Sequence, residues 1–382
     1  MPVKRLIALL TALLMVAALP LTALAAPVPP EISAPSAILI ESSTGKILYE
    51  KDADTRLPPA SVTKIMTILL IAEAIDSGRI SLDDMVTTSD NAASMGGSQV
   101  YLEVGESMSV HDMLKAVVIA SGNDAATAMA EHIAGSAEGF VALMNQRAAE
   151  LGMENTTFVN CHGLDTDGHL TTARDISLMS AELLEKHPWI TDYTTIWMDS
   201  LRGGEFGLAN TNKLLRSYSG TTGLKTGSTG LAKYCLSASA MRGDMQLIAV
   251  VMAAPSTAER FKSAAQLLDF GFANYQKQTL PIERLAPIPV DGGTLDQVEL
   301  LCEPDSVTTV LEKGDARAVE AVTTVQERLT APVEEGQTVG EIVFKLGDSE
   351  LGRGRIVAAH AVPRRTVLQQ FVKYLGALMM VE

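Results

Sequence analysis

Cysteine is scarce, with three among 382 residues, and the shortage is informative. Cys161, Cys235 and Cys302 are an odd number, so at least one stays unpaired or pairs between chains. None lies in a C-x-x-C motif, which removes a disulfide framework and a zinc ribbon. Buried free thiols are the expected state, and a Cys161–Cys235 bridge is the one intrachain alternative considered. Histidine pairs at metal-ligand spacing are also missing, since His162 and His169 stand seven apart. Positive charge is the third shortage. Thirty Lys and Arg face 45 Asp and Glu, a formal net charge of −15, which leaves no electrostatic footprint for nucleic acid.

Long apolar runs are missing too, except at the start. Lys4 and Arg5 precede an almost unbroken apolar run from Leu6 to Ala18, followed by Pro20 and the small triplet Ala23-Leu24-Ala25. That order predicts a secretory signal peptide over residues 1–25, cleaved after Ala25, and hence an exported protein. A spanning anchor would need about 20 apolar residues. Loss of Lys4 and Arg5 moves the formal charge from −15 to −17. Anionic lipid repels such a chain, so any membrane attachment has to be mainly apolar.

A hydrophobic content of 47% supports packed cores rather than disorder, and the length suits two domains of about 100–200 residues each. Ser36–Ser42 and Lys46–Glu50 read as a β-hairpin turning at Ser43-Thr44-Gly45. Ala60 to Ile75 has helical periodicity and stops at Gly78. Ser109 to about Leu151 is helical with a break at Ser121-Gly122-Asn123. Another helix spans Thr171 to Lys186, with Thr171 or Thr172 as N-cap and Asp175 in the first turn. Three late strands, Gly223–Thr226, Ala232–Met241 and Met245–Ala254, precede a helix over Glu259–Tyr275. Strands at both ends around a helical middle predict one sheet closed by the N-terminal hairpin, not an alternating, doubly wound parallel sheet.

The expected boundary lies near Thr279–Glu283, separating a domain over 32–280 from a β-rich domain over 284–363. In the latter, short strand-like runs recur at Gln297–Leu301, Ser306–Leu311, Val319–Val325, Thr338–Lys345 and Arg355–Ala361. Residues 364–382 form an amphipathic helix, with Val367, Leu368, Phe371, Val372, Leu375, Leu378 and Met379 on one face. Gln369, Gln370 and Lys373 lie on the other face. The pattern suits a helix lying in a membrane interface; docking on its own β domain is the alternative.

Three short motifs carry chemistry. Ser61 and Lys64, three apart at a helix start, share a face, so Lys64 can reach the Ser61 hydroxyl. A desolvated lysine beside a second cation loses its proton more readily and becomes the base that a serine nucleophile needs; Lys225 would be that cation. Ser121-Gly122-Asn123 interrupts a helix pair, where Ser121 can relay a proton to a leaving amine and Asn123 can orient a substrate amide. In Lys225-Thr226-Gly227 the glycine admits a peptide close to the strand edge, while Lys225 and Thr226 can hold a terminal carboxylate. Each motif alone is common. All three in this order form the Ser-x-x-Lys set of penicillin-recognising enzymes.

Pro59-Ala-Ser-Val-Thr-Lys-Ile-Met-Thr67, Ser121-Gly-Asn-Asp124, His162-Gly-Leu-Asp165 and Leu224-Lys-Thr-Gly227 together resemble the low-molecular-mass penicillin-binding proteins of the DD-carboxypeptidase type. The resemblance runs from about Ile32 to the C-terminus. It implies a mixed α/β penicillin-recognising fold, with an antiparallel sheet beside a helical lobe and a small all-β domain after it. It also implies a serine carboxypeptidase of peptidoglycan biosynthesis; the signal-like start and the amphipathic terminal helix would place it on the outer face of the cytoplasmic membrane. Ser61 would be acylated by a stem peptide ending in D-Ala-D-Ala, or by a β-lactam antibiotic, and then hydrolysed. Backbone N–H groups of Ser61 and Ser228 would stabilise the oxyanion. No metal or organic cofactor is implied. Ser228 departs from the His or Phe of many relatives, which bears on substrate preference and deacylation. His162 reads as a loop residue rather than a catalytic one.

Two rival readings remain at this point. A class A β-lactamase would need Glu-x-x-x-Asn between the second and third motifs. The nearest pairs, Glu150 with Asn155 and Glu205 with Asn210, are one residue too long. A wall-binding or penicillin-sensing protein would have a degenerate site, whereas Ser61, Lys64, Ser121, Asn123, Lys225 and Thr226 are all intact. Endopeptidase or transpeptidase activity from the same acyl-enzyme differs only in the acceptor.

Overall fold

In the computed structural model, residues 27–315 and 318–379 are described, with side chains described through residue 375. The expected signal peptide and the side chains of Leu378 and Met379 lie outside that range. Five strands form the main sheet: β1 (Ser36–Glu41), β2 (Ile47–Lys51), β3 (Thr221–Thr229), β4 (Lys233–Arg242) and β5 (Met245–Ala254). Their spatial order is β2-β1-β5-β4-β3, every pairing antiparallel. The N-terminal hairpin thus returns beside the late strands, as the strand order in the sequence predicts, and β3 is left as an edge.

Side chains alternate across a sheet, and here both faces are buried. Ile38, Ile40, Ile248, Val250 and Met252 face a core shared with the helical lobe. Leu39, Leu236, Leu247, Ala249 and Val251 face the other way, against Leu267 and Leu268 of the late helix. That double burial explains why β5 reads as a continuous apolar run.

The helical lobe contains α1 (Lys64–Asp76), α2 (Val110–Val118), α3 (Asn123–Ala134), α4 (Ala137–Glu150) and α5 (Ala173–Lys186). The helix expected from Ala60 starts instead with a 3-10 turn, Ala60–Thr63, and becomes α-helical only at Lys64. The long region after Ser109 breaks twice. Besides the predicted break at Ser121–Asn123, Gly135 ends α3 in the left-handed region at φ 78° and Ser136 caps α4. The Thr172 hydroxyl accepts from the Asp175 amide and caps α5, as its position suggests. Two small hairpins, Met85–Thr87 with Ser107–Ser109 and Met198–Leu201 with Phe206–Ala209, have no counterpart in the sequence reading.

The helix α6 (Thr257–Asn274) runs directly into a strand, Tyr275–Pro281, that pairs with Ser306–Glu312. The β-rich domain therefore begins near Tyr275, ahead of the expected boundary. Its four-stranded sheet joins Leu300–Glu303, Ser349–Ala358, Thr338–Leu346 and Val319–Val325 in that order. Lys46 and Lys313 donate across the junction, to Val310 O at 2.7 Å and Phe272 O at 2.6 Å. The terminal helix, α7 (Val367–Met379), is tied to this domain by ion pairs from Arg365 and Lys373 to Asp296. Its described apolar side chains stay in solvent, Val367 at 90% and Phe371 at 62% exposure.

All three cysteines are free thiols, so the considered Cys161–Cys235 bridge does not form. Among the described residues no group of three or more His, Cys, Asp and Glu could hold a metal ion, and no helix is long and apolar enough to cross a membrane.

Candidate active site

The three motifs converge between the sheet edge and the helical lobe. Ser61 sits in the 3-10 turn ahead of α1, after Ala60, whose φ of 49° lies in the left-handed region. That conformation is costly for a residue with a side chain. Surrounding contacts hold it: a Cβ on Gly163 would come 1.9 Å from Ala60 O, and one on Gly227 would come 2.9 Å from Ser61 N. The His-Gly-Leu-Asp loop and the Lys-Thr-Gly strand therefore close on the backbone of Ala60 and Ser61, and only glycine fits at either contact.

Lys64 is fully buried, and its Nζ touches three oxygens: Ser61 Oγ at 3.1 Å, Asn123 Oδ1 at 2.6 Å and His162 O at 2.7 Å. Two of those can only accept. A neutral amine has two N–H donors and one lone pair, so Asn123 and His162 take the donors and the lone pair is left for the Ser61 hydroxyl. Burial pushes Lys64 down to about 7, against smaller upward pulls from Cys161 and Asp124. Lys225, also buried, lies well below its ordinary value, first through burial, then through repulsion from Lys64 and Arg260. The sequence reading combined desolvation of Lys64 with a neighbouring cation; burial is the largest cause for both lysines.

Asn123 differs from expectation as well. Its Nδ2 donates to Gly96 O at 2.7 Å while its Oδ1 holds Lys64. Both ends of the amide are thus engaged within the protein, so fixing the base stands beside any role in orienting substrate. Ser121, in the left-handed region at φ 63°, has a buried hydroxyl without a hydrogen-bond partner. An orphan hydroxyl beside such a cluster is free for an incoming group.

Lys225, Thr226, Gly227 and Ser228 lie on the edge strand β3, paired on one side only, with β4. No strand pairs with its other side, the position that an added peptide strand would take. Lys225 is buried and donates to Thr226 O at 3.0 Å, so its amine lies behind the strand rather than on the surface. The Thr226 hydroxyl lies 2.6 Å from that of Thr211, and Ser228 is exposed.

Four supporting residues have no role in the sequence reading, although two of them, Asp124 and Asp165, lie in its motifs. The buried Asp124 carboxylate accepts from the amides of Val100, Leu102 and Ala125 at 3.0, 3.1 and 2.9 Å, fixing the loop over the start of α3. Arg202 donates to Val100 O and Tyr101 O and pairs with Glu106, bracing the same loop. Arg260 of α6 reaches behind β3 to donate to Gly227 O at 3.0 Å. Asp165 accepts from the Thr229 hydroxyl at 2.6 Å, tying the His162 loop to the end of β3. His162 is the expected loop residue: Leu164 donates to its Nδ1, and burial, then Lys64, lowers its ring to about 4. Its contribution to the site is its carbonyl.

The pattern of D-alanyl-D-alanine carboxypeptidases, peptidase S11, matches residues 23–256, and that of the penicillin-binding protein 5 C-terminal domain matches residues 277–364. The chain is 46% identical to the D-alanyl-D-alanine carboxypeptidase DacF of Bacillus subtilis, over 85% of each chain. It is 38% identical to the carboxypeptidase DacC of Escherichia coli, over 87% of this chain and 85% of the other. Penicillin-binding protein 5 of Haemophilus influenzae superposes with a TM-score of 0.80 at 31% identity, covering 88% of this chain and 99% of that one. The ampicillin-bound penicillin-binding protein D2 of Listeria monocytogenes gives 0.59 at 34% identity, over 64% and 100%.

Proposed function

We infer, for a chain that belongs to the D-alanyl-D-alanine carboxypeptidase family, that Ser61 is the nucleophile and Lys64 its base. The protein is a serine-type carboxypeptidase and penicillin-binding protein that acts on peptidoglycan stem peptides and takes β-lactams. The observation that carries the residue assignment is the coordination of Lys64, whose two carbonyl acceptors leave one lone pair for Ser61.

That geometry supports the following steps. A peptide ending in D-Ala-D-Ala lies along the edge of β3, its carboxylate held by the Thr226 hydroxyl and by Lys225, whose ammonium form a bound carboxylate favours. Lys64 takes the Ser61 proton as the oxygen attacks the penultimate carbonyl carbon. The N–H groups of Ser61 and Ser228 stabilise the oxyanion. Collapse breaks the amide, and the departing nitrogen receives a proton relayed from Lys64 through the unpartnered Ser121 hydroxyl. Terminal D-Ala leaves. Water, deprotonated by the same amine, then attacks the ester and restores Ser61.

Residence on the outer face of the cytoplasmic membrane is part of the same reading. It is supported by the signal-like N-terminus and by the exposed Val367, Leu368, Phe371, Val372 and Leu375 of α7. Incubation with a peptide ending in D-Ala-D-Ala tests the activity: free D-Ala should appear, and Ser61→Ala should abolish it. Release unaffected by that substitution would remove Ser61 from the chemistry.

A further inference from the structure

The loop that supplies His162 O continues to a second histidine, which the chemistry above does not use. His169 is buried, and its ring spans two partners. The Val159 amide donates to Nδ1 at 2.9 Å, and Nε2 lies 2.8 Å from Thr63 Oγ1. A backbone N–H can only donate, so Nδ1 is the acceptor and the neutral ring carries its proton on Nε2. Nε2–H therefore donates to the Thr63 oxygen. The Thr63 hydroxyl, itself buried, spends its proton on Ala60 O at 2.8 Å. The chain runs in one direction, from Val159 N–H through His169 and Thr63 to the carbonyl of the residue preceding the nucleophile.

That carbonyl needs holding. Ala60 is left-handed, and the neighbouring bond from Val62 N to Pro59 O is long at 3.3 Å. Gly163 presses on the same carbonyl from the other side. Burial keeps His169 neutral, at about 4, so the direction of the chain is stable at neutral pH.

We propose that His169 and Thr63 are positioning residues for acylation: through a one-way hydrogen-bond chain to Ala60 O, they fix the backbone that aims Ser61 Oγ at the substrate carbonyl. The inference rests on the acyl-enzyme reading above. Neither side chain touches substrate. A displacement of the nucleophile of the order of 1 Å can cost about 100-fold in rate, which sets the scale of the effect.

The experiment measures acylation of the purified full chain by a fluorescent penicillin, separating the initial binding constant from the acylation rate constant and normalising to folded protein. Thr63→Val and His169→Leu should lower the acylation rate constant about 10–100-fold with little change in initial binding. Thr63→Ser and His169→Gln should recover most of it, because Ser keeps the hydroxyl and the Gln amide offers an acceptor and a donor in place of Nδ1 and Nε2. Nitrogen NMR of the parent should report the Nε2–H tautomer at His169, an observation independent of whether any variant folds. The proposal is overturned by Thr63→Val and His169→Leu acylating within threefold of the parent, by His169→Gln falling as far as His169→Leu, or by an Nδ1–H tautomer. A parent that takes no penicillin would take down the enzymatic reading, and this one with it.

Discussion

Asn123 Oδ1 lies 2.6 Å from Lys64 Nζ, closer than the Ser61 hydroxyl at 3.1 Å. The middle motif therefore governs the base directly. Asn123→Asp would replace that neutral acceptor with a carboxylate, which favours the ammonium form. The rise of acylation with pH should move upward from about 7, and at neutral pH the rate should fall at least about tenfold, since each unit of pKa is about 1.4 kcal/mol. An unmoved pH limb in Asn123→Asp, measured with a fluorescent penicillin, would mean that Asn123 serves substrate alone.

Lys64 itself sets the sign of the pH dependence. Its folded pKa is lowered by burial to about 7, and only the neutral amine can accept the serine proton. Acylation should rise as pH passes upward through about 7 and fall away below it. Lys64→Arg keeps the positive charge but cannot deprotonate in the accessible range, so its rate should be flat with pH and lower by about 100–10,000-fold. A retained limb near 7 in that variant would assign the titration to another group.

Gly163 offers a steric test. A Cβ there meets Ala60 O at 1.9 Å and sits on a backbone with φ 91°, so Gly163→Ala should lose roughly 1–3 kcal/mol of stability and most acylation. Gly168 lies in the same loop at φ 78° with open space around it. Gly168→Ala should cost about 1–2 kcal/mol from the left-handed backbone alone and leave acylation intact. Thermal melts with acylation rates on both variants separate the two; equal effects would dissolve the assigned role of the Gly163–Ala60 contact.

Truncation after Pro363 removes α7 and its exposed apolar side chains. The shortened protein should stay in the supernatant when spun with lipid vesicles and should release D-Ala at the parental rate. Sedimentation equal to that of the full chain would assign membrane attachment elsewhere.

The residues proposed for catalysis stand out in the sequence because each motif is a short, fixed run of residue types: Ser61 with Lys64, Ser121 with Asn123, Lys225 with Thr226. The sheet was legible because apolar runs such as Met245–Ala254 cluster at the two ends of the catalytic unit. What stayed hidden is carried by backbone atoms or by long separations. The His162 carbonyl on Lys64 leaves no residue-type signal, and Arg260 meets Gly227 O across 33 positions. The hairpin of Met85–Thr87 with Ser107–Ser109 lacks the tight turn that would announce it. The β domain starts at Tyr275 without a Gly or Pro at the helix end, so Pro281, the first breaker, marked the boundary instead. Asn123 carried the right motif but a fuller role, because its partner Lys64 is 59 positions away.

The most direct measurement is the mass of the full-length protein, and of its peptides, after brief exposure to penicillin. Expected is one added β-lactam per chain on the peptide containing Ser61, absent from Ser61→Ala. An adduct on another residue, or no adduct on folded protein, would contradict the assignment of Ser61 and Lys64.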